Sequence, residues 1–487
     1  MVVLSPSLRP SAPGRVPAAQ GARAGLSRNQ RAALLLLALA TLAAVLAGVL
    51  HWLLAVILGP LFLFKVALHL GTILEPVSTV QKAGVPLPAA MLPRYTVLVP
   101  LYREAAVLPR LLQALGALDY PAEQLEVFVL LEADDRETRE ALRGMALPGC
   151  MQAVVVPAGE PRTKPRALNH GLALATGELL AVYDAEDRPA PDQLLAAATR
   201  FHRLPRRVAC LQARLSIDNY RDSLLSRLFA IEYAGLFDVT KPGLARSALP
   251  VPLGGTSNHF RVAALRALDG WDAWNVTEDA DLGFRIARRG WLVADLASTT
   301  EEEAPATLPI WLNQRKRWVK GWMQTTVSHG HAPLATLAAL GPVTSAAMAA
   351  LSLGQVLSIL LGPALGLAGL LWILQAEAWV GHGTGGLILQ AMAIVVLTVG
   401  LLVQFVAPVL GLLRRKHHDL LPYVLLLPLY SMLISVAGWL AVVEYLRAPF
   451  RWNKTPHGLA RTSRNATIDQ KQASTMATTA SMNKAVP

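Results

Sequence analysis

Cysteine is nearly missing from this chain. Cys150 and Cys210 are the two among 487 residues, and no Cys-x-x-Cys pair or Cys/His cluster accompanies them. That pattern argues against a disulfide framework or a zinc site and fits reduced thiols. Charge is scarce as well, at 16% of residues, where an ordinary soluble domain carries about 25%. The shortage is local. Ala32–Phe64, Gly321–Ala376, Ala378–Leu413 and Leu420–Val443 contain no Asp, Glu, Lys or Arg. A membrane span needs about 20 apolar residues, so each window is long enough for at least one, and a lipid bilayer is the expected partner. Windows so poor in acids and bases argue against a transporter of ions or charged solutes.

Acid is also missing from the first 31 residues, which hold Arg9, Arg15, Arg23, Arg28 and Arg31. The formal charge of the whole chain is +12. A basic chain invites a nucleic-acid reading, but the basic residues gather beside the apolar windows, as the positive-inside rule expects. No nucleic-acid partner is expected. Residues 1–31 read as a disordered cytoplasmic tail, and the apolar stretch after them is too long for a signal-peptide core.

Residues 32–74 are long enough for two membrane helices, and a single long tilted helix is the alternative. A Pro- and Gly-bearing linker covers 75–93, and an α/β region follows over 93–304. Its strands are expected at 95–100, 125–131, 152–156 and 179–183, with helices at 105–118, 135–142 and 164–175 between them. Such alternation predicts a parallel sheet, with ligands beyond the carboxyl ends of its strands. Residues 305–330 mix Trp, Arg and Lys with apolar residues and read as interfacial helices. Residues 341–446 are expected to be membrane helices and 447–487 a cytoplasmic tail. Five or six spans fit this charge pattern equally.

Three polar runs carry chemistry. Asp184-Ala185-Glu186-Asp187 ends an apolar strand. Carboxylates there can hold Mg²⁺ or Mn²⁺ against phosphate oxygens, or merely cap the next helix. Thr277-Glu278-Asp279 opens a helix, where a carboxylate serves as general base or as cap. Gln314-Arg315-Lys316-Arg317-Trp318 precedes the long uncharged stretch. Arg317, with Arg315 as a second candidate, can pair with a diphosphate; alternatively the run is a snorkelling membrane anchor. Gly254-Gly255-Thr256-Ser257 lets backbone approach a ligand, and Lys164 opens a helix.

In this order the three motifs resemble the processive, inverting family 2 glycosyltransferases, the group of cellulose, hyaluronan and chitin synthases. The flavour is that of bacterial β-glucan or glucomannan synthases, carried by Tyr183–Asp187 and Gly254–Phe260. The resemblance implies an α/β domain of GT-A type inserted between transmembrane helices, cytoplasmic, in the inner membrane. It implies a nucleotide-sugar donor, a UDP-sugar such as UDP-glucose before a GDP-sugar, a glycan acceptor, and a β-linked polymer exported through the membrane helices. Transfer of one sugar to a lipid carrier, or synthesis of a short oligosaccharide, is the alternative. By resemblance Asp279 is the base, Glu278 its neighbour and Arg317 the diphosphate partner. Tyr102, Glu104, Asp134, Lys164, Asp184 and Glu186 hold the donor, and Gly255, Thr256, Ser257, Gln314 and Trp318 the acceptor. The family motif is usually Asp-x-Asp; here Glu186 takes the third position, and Asp187 is the other candidate for the metal. Trp452-Asn453-Lys454-Thr455-Pro456-His457-Gly458 resembles a family stretch after the last span. Control by cyclic-di-GMP is expected to need a partner.

Overall fold

The computed structural model describes residues 21–47, 50–75, 85–374 and 383–452. The first 20 residues, residues 76–84 of the linker and Asn453–Gly458 lie outside the described residues. Two helices open the chain, α1 (Arg28–Leu46) and α2 (Leu50–Leu74). The α/β region then runs β1 (Tyr95–Leu101), α3 (Leu108–Gly116), β2 (Leu125–Glu132), α4 (Arg136–Arg143), β3 (Met151–Val156), α5 (Lys164–Leu174) and β4 (Leu179–Val182). It continues through β5 (Arg188–Pro189), α6 (Gln193–Arg203), β6 (Val208–Ile217), α7 (Leu224–Gly235), a π-helical turn (Leu236–Thr240) and α8 (Lys241–Arg246). It closes with β7 (Asn258–Arg261), α9 (Val262–Ala267), α10 (Glu278–Arg288) and β8 (Leu292–Glu302).

The sheet order is β3-β2-β1-β4-β7-β6-β8-β5. The four strands expected from sequence pair in parallel. β7 runs antiparallel to both β4 and β6, β8 is parallel to β6, and β5 is antiparallel to β8. The expected all-parallel sheet is therefore a mixed one. β1 shows why it forms: it is apolar at nearly every position and buried on both faces. Leu98 joins Leu130, Leu168 and Leu172 on the α5 side, while Val97 and Val99 meet Leu108 and Leu111 of α3. Each such side chain contributes about 1.5–3 kcal/mol by leaving water.

The Gln314–Trp318 run lies on one continuous helix, α11 (Leu308–His329), rather than on several interfacial ones. After it come α12 (Pro333–Leu351), α13 (Leu353–Leu374), α14 (Gly383–Arg415) and α15 (Leu427–Arg447). Among the described residues, five stretches are long and apolar enough to cross a membrane: Arg28–Leu46, Val56–Leu74, Pro333–Leu351, Ile394–Arg415 and His418–Arg447. On α1, Leu35 is 62% and Leu36 66% exposed, an apolar surface that suits lipid better than water. Residues 21–31, part of the tail expected to be disordered, are ordered. Residues 21–31 dock on the α/β region, where the Ala22 amide donates to Asp272 Oδ2 at 2.6 Å. The Arg23 guanidinium lies 4.7 Å from the Trp274 ring, and Gln30 Nε2 donates to the Val327 carbonyl at 2.9 Å. Ser27 and Gln30 close a capping box that starts α1.

Candidate active site

Strand ends bring the first carboxylates together. β4 stops at Val182, and the chain turns through Asp184 and Glu186, both on the wall of a cavity of about 1900 Å³. β1 delivers Tyr102 and Glu104 to the same wall. Asp279, in the first turn of α10, arrives from the other side. Gly255 is the meeting point. A Cβ placed on it would lie 3.5 Å from Asp279 Oδ2 and 3.9 Å from both Asp184 Oδ2 and Lys164 Nζ. Residue 255 thus leaves room for a ligand between two carboxylates that lie far apart in the chain.

Lys164 donates to Asp184 Oδ1 and, at 2.7 Å, to the Gly255 carbonyl. Burial pulls its amine down, but Asp184, Glu278 and Asp279 outweigh that and hold it above the ordinary lysine range. Asp184 and Glu186 are hard oxygen donors on the cavity wall, of the kind that holds a divalent ion whose shell phosphate oxygens complete; no group of three or more His, Cys, Asp or Glu side chains among the described residues is arranged to hold one unaided. Asp187 is turned away. It is 1% exposed, accepts from the Asp184 amide at 2.7 Å and accepts from the Thr256 hydroxyl. Burial first, then Asp184, Glu186 and Glu302, push its carboxyl well up. Its place is under the loop, holding Asp184 in position. Thr256 reaches the cavity wall, but Ser257 does not: its hydroxyl donates to Thr300 at 2.6 Å, beneath the sheet. Asp134 also lies off the wall and pairs at 2.7 Å with Arg162, which does line it.

Glu278 is 7% exposed. Burial and the neighbouring Asp279 raise its carboxyl from 4.5 to about 7, against the pull of Lys164. Folded Glu278 therefore keeps its proton between pH 4.5 and about 7, where the unfolded chain has lost it. The stability it contributes is full below that window and declines as pH rises through it. Glu278→Gln is expected to melt like the parent near pH 4 and to be more stable near pH 8, by up to about 3 kcal/mol. Thermal denaturation at the two pH values checks this, and an unchanged slope would contradict the burial of this carboxyl.

α11 holds the Asn275–Asp279 loop, which carries the candidate catalytic carboxylates Glu278 and Asp279, along one stripe. Arg317 Nη1 points at the Val276 carbonyl at 3.5 Å. Four residues on, Gly321 meets Thr277, where an added Cβ would come within 2.2 Å of Oγ1. Gln324 Oε1 accepts from the Val276 amide at 2.9 Å, and Thr325 Oγ1 accepts from Asn275 at 2.9 Å. Sequence reasoning missed Gly321, Gln324 and Thr325, which lie beyond the motif; their signal was the i, i+4, i+7, i+8 spacing from Arg317. Gln314 and Trp318 line the cavity, and Gln314 Oε1 has no partner among the described residues. The Trp318 ring lies near-parallel to Tyr233, with centroids 6.5 Å apart.

Arg315 does not share the role of Arg317. Its guanidinium makes a two-point pair with Glu232, at 2.8 and 2.5 Å, and donates to Tyr430 at 2.8 Å. It also lies 4.6 Å from the Trp318 ring. It is a strut between α11, α7 and α15. Arg315→Met is expected to cost about 3 kcal/mol of stability while leaving nucleotide affinity within about twofold. Denaturation midpoints and nucleotide titrations on the same preparation test both parts.

Beyond Trp318 the cavity continues between membrane-type helices, past Phe62 and Val66 of α2, Ile359 of α13, Leu397 and Val403 of α14, and Ile434 of α15. A smaller hollow of about 820 Å³ adjoins it and shares Tyr102, Arg162, Thr163 and Trp452. Trp452 stands 6.4 Å from the Tyr102 ring.

Residues 93–321 match the family described as Glycosyltransferase like family 2. A β-monoglucosyldiacylglycerol synthase of Trichormus variabilis is 29% identical over 236 residues, which is 48% of this chain and 50% of that protein. A probable glucomannan 4-β-mannosyltransferase of Oryza sativa is 27% identical over 241 residues, 47% of this chain and 43% of that one. The mannosyltransferase PcManGT of Pyrobaculum calidifontis, solved with GDP-Man and Mn2+, is 22% identical with a TM-score of 0.41, over 70% of this chain and 98% of that one. The chain spans about half the length of the curated relatives it matches.

Proposed function

Residues 93–321 form a glycosyltransferase domain of family 2, and from that premise we propose that the protein moves a hexose from a nucleotide-sugar to a hydroxyl of an acceptor that enters from the membrane side. The observation that carries this reading is the single cavity. It joins Asp184 and Glu186 to Asp279, passes Gln314 and Trp318, and runs on between α2, α13, α14 and α15. UDP-glucose is the favoured donor, and a growing β-linked glycan, exported along the cavity, is the favoured acceptor.

Each residue then has a task. Tyr102, Glu104 and Lys164 hold the nucleotide. Asp184 and Glu186 would hold Mg²⁺ or Mn²⁺, which supplies charge neutralisation at the diphosphate. Asp279 removes the proton from the acceptor hydroxyl, which it reaches across the gap at Gly255. That oxygen attacks the anomeric carbon from the face opposite the leaving group, so an α-linked donor gives a β-linkage. Arg317 and Lys164 pair with the departing diphosphate. Glu278 and Asp279 both line the cavity, and Asp279 is the more exposed of the two, so it is the one placed to reach the acceptor.

A lipid acceptor is the second reading, favoured by the apolar walls beyond Trp318 and by the glycolipid product named for one relative. Full-length protein in nanodiscs, given UDP-glucose, UDP-GlcNAc, UDP-glucuronate or GDP-mannose with Mg²⁺, separates the two. A water-soluble, glycanase-sensitive polymer supports the first reading. A chloroform-extractable monoglycosyl product supports the second. Diphosphate release from none of the four donors counts against both.

A further inference from the structure

Lys241 is a buried cation that the mechanism above leaves unused. It opens α8 directly after the π-helical turn and is 6% exposed. It nevertheless belongs to the wall of the reaction cavity, beside Phe237, Thr240 and Gly254. Among the described residues its ammonium makes no hydrogen bond or ion pair; its nearest company is the Phe237 ring, 4.1 Å from Nζ to centroid. A lysine so placed is held there by the fold. Gly243, two residues on, packs so closely on Thr72 of α2 that an added Cβ would lie 2.5 Å from the Thr72 Cβ. Burial without a partner is costly for an ammonium, and it pulls this amine down to about 7 against the field of Asp279 and Glu302.

The surroundings say what would complete the site. Trp318 and Tyr233 are near-parallel, Tyr233 is 5.1 Å from Phe237, and Phe237 carries Lys241. Phe237 also packs on Gly254, where an added Cβ would come within 3.0 Å of the ring, so this aromatic wall borders the Gly255 gap. Aromatic faces suit the C–H face of a pyranose, and an ammonium suits its hydroxyl oxygens. Asp279 and Glu302 on the same cavity wall would repel an acidic sugar and not a neutral one. We propose that Lys241 is a specificity-determining acceptor residue, whose ammonium donates to hydroxyl oxygens of a neutral pyranose lying along Trp318, Tyr233 and Phe237. This rests on the reading that the acceptor carries a sugar.

The test is binding, so that it does not depend on turnover. Full-length protein in nanodiscs is saturated with UDP and titrated with a neutral β-gluco-oligosaccharide, and separately with β-glucosyl-diacylglycerol in the nanodisc lipid, reading tryptophan fluorescence. Lys241→Met should weaken binding of the probe by about tenfold or more, the loss of one charged hydrogen bond, with the Kd for UDP unchanged. Lys241→Arg should restore binding to within about threefold. Parent binding should weaken more steeply than that of the Arg variant as pH rises from 6 to 8, since Glu278, on the same wall, titrates in both proteins and only the lysine loses its charge there; a packing role would leave the two profiles parallel. Equal binding by parent and Lys241→Met, or no binding of either probe by the parent, overturns the proposal. Binding that depends on Lys241 without any sugar transfer would instead remove the parent reading of the reaction and leave the site standing.

Discussion

Asp279→Asn is expected to lower sugar transfer by about a thousandfold or more while the Kd for the nucleotide changes by less than about threefold. Asp279 faces the Gly255 gap opposite Asp184 and Lys164; in the proposed reaction an acceptor oxygen and an anomeric carbon meet in that gap, with Lys164 and the Asp184 loop on the donor side. Asparagine keeps the shape and removes the capacity to take a proton. Diphosphate release and nucleotide titration on one preparation decide it. Turnover within tenfold of the parent would take the base role away from Asp279. Loss of nucleotide binding would mean that Asp279 belongs to the donor side.

Gly321→Ala carries the second large effect, because two physical terms have opposite signs there. Helix propensity alone predicts a gain of about 1 kcal/mol for replacing an interior helix glycine. The contact predicts the reverse. A methyl on residue 321 would stand 2.2 Å from Thr277 Oγ1 and 2.5 Å from Cγ2, and Thr277 immediately precedes Glu278 and Asp279. Overpacking of this kind costs about 1–3 kcal/mol. Moving the base by about 1 Å costs about a hundredfold in rate. The expected result is a less stable protein with kcat reduced about a hundredfold and nucleotide affinity retained. A more stable protein with full activity would show that α11 does not position the catalytic loop.

The sequence announced the site unevenly, and the residues explain why. Asp184 was legible because β4 is an apolar run that ends on it, and strand ends in such sheets face the ligand. Asp279 and Trp318 were legible as motif members. Their convergence was not: Gly255 brings Asp184 and Asp279 together only once β7 inserts antiparallel beside β4. β7 spans Asn258–Arg261, too short to show a period of two. Arg315 and Arg317 look interchangeable in a string, yet two residues on a helix are about 200° apart. One therefore faces Glu232 and Tyr430, and the other the catalytic loop. Asp187 bonds back to the amide three residues before it, a short-range turn to which aspartate is suited; the spacing was visible, its consequence for the metal was not. Lys241, three residues after Asp238 in the sequence, had no signal that set it apart.

The most direct measurement of the central claim is the configuration of the newly formed bond. With UDP-glucose, an α-linked donor, an in-line attack assisted by Asp279 gives a β-linkage, visible as a large anomeric coupling in the proton NMR spectrum of product made by the full-length protein, because H1 and H2 of a β-glucoside are both axial. A β-anomeric product is the predicted result. An α-linked product from the same donor would contradict single displacement at this site.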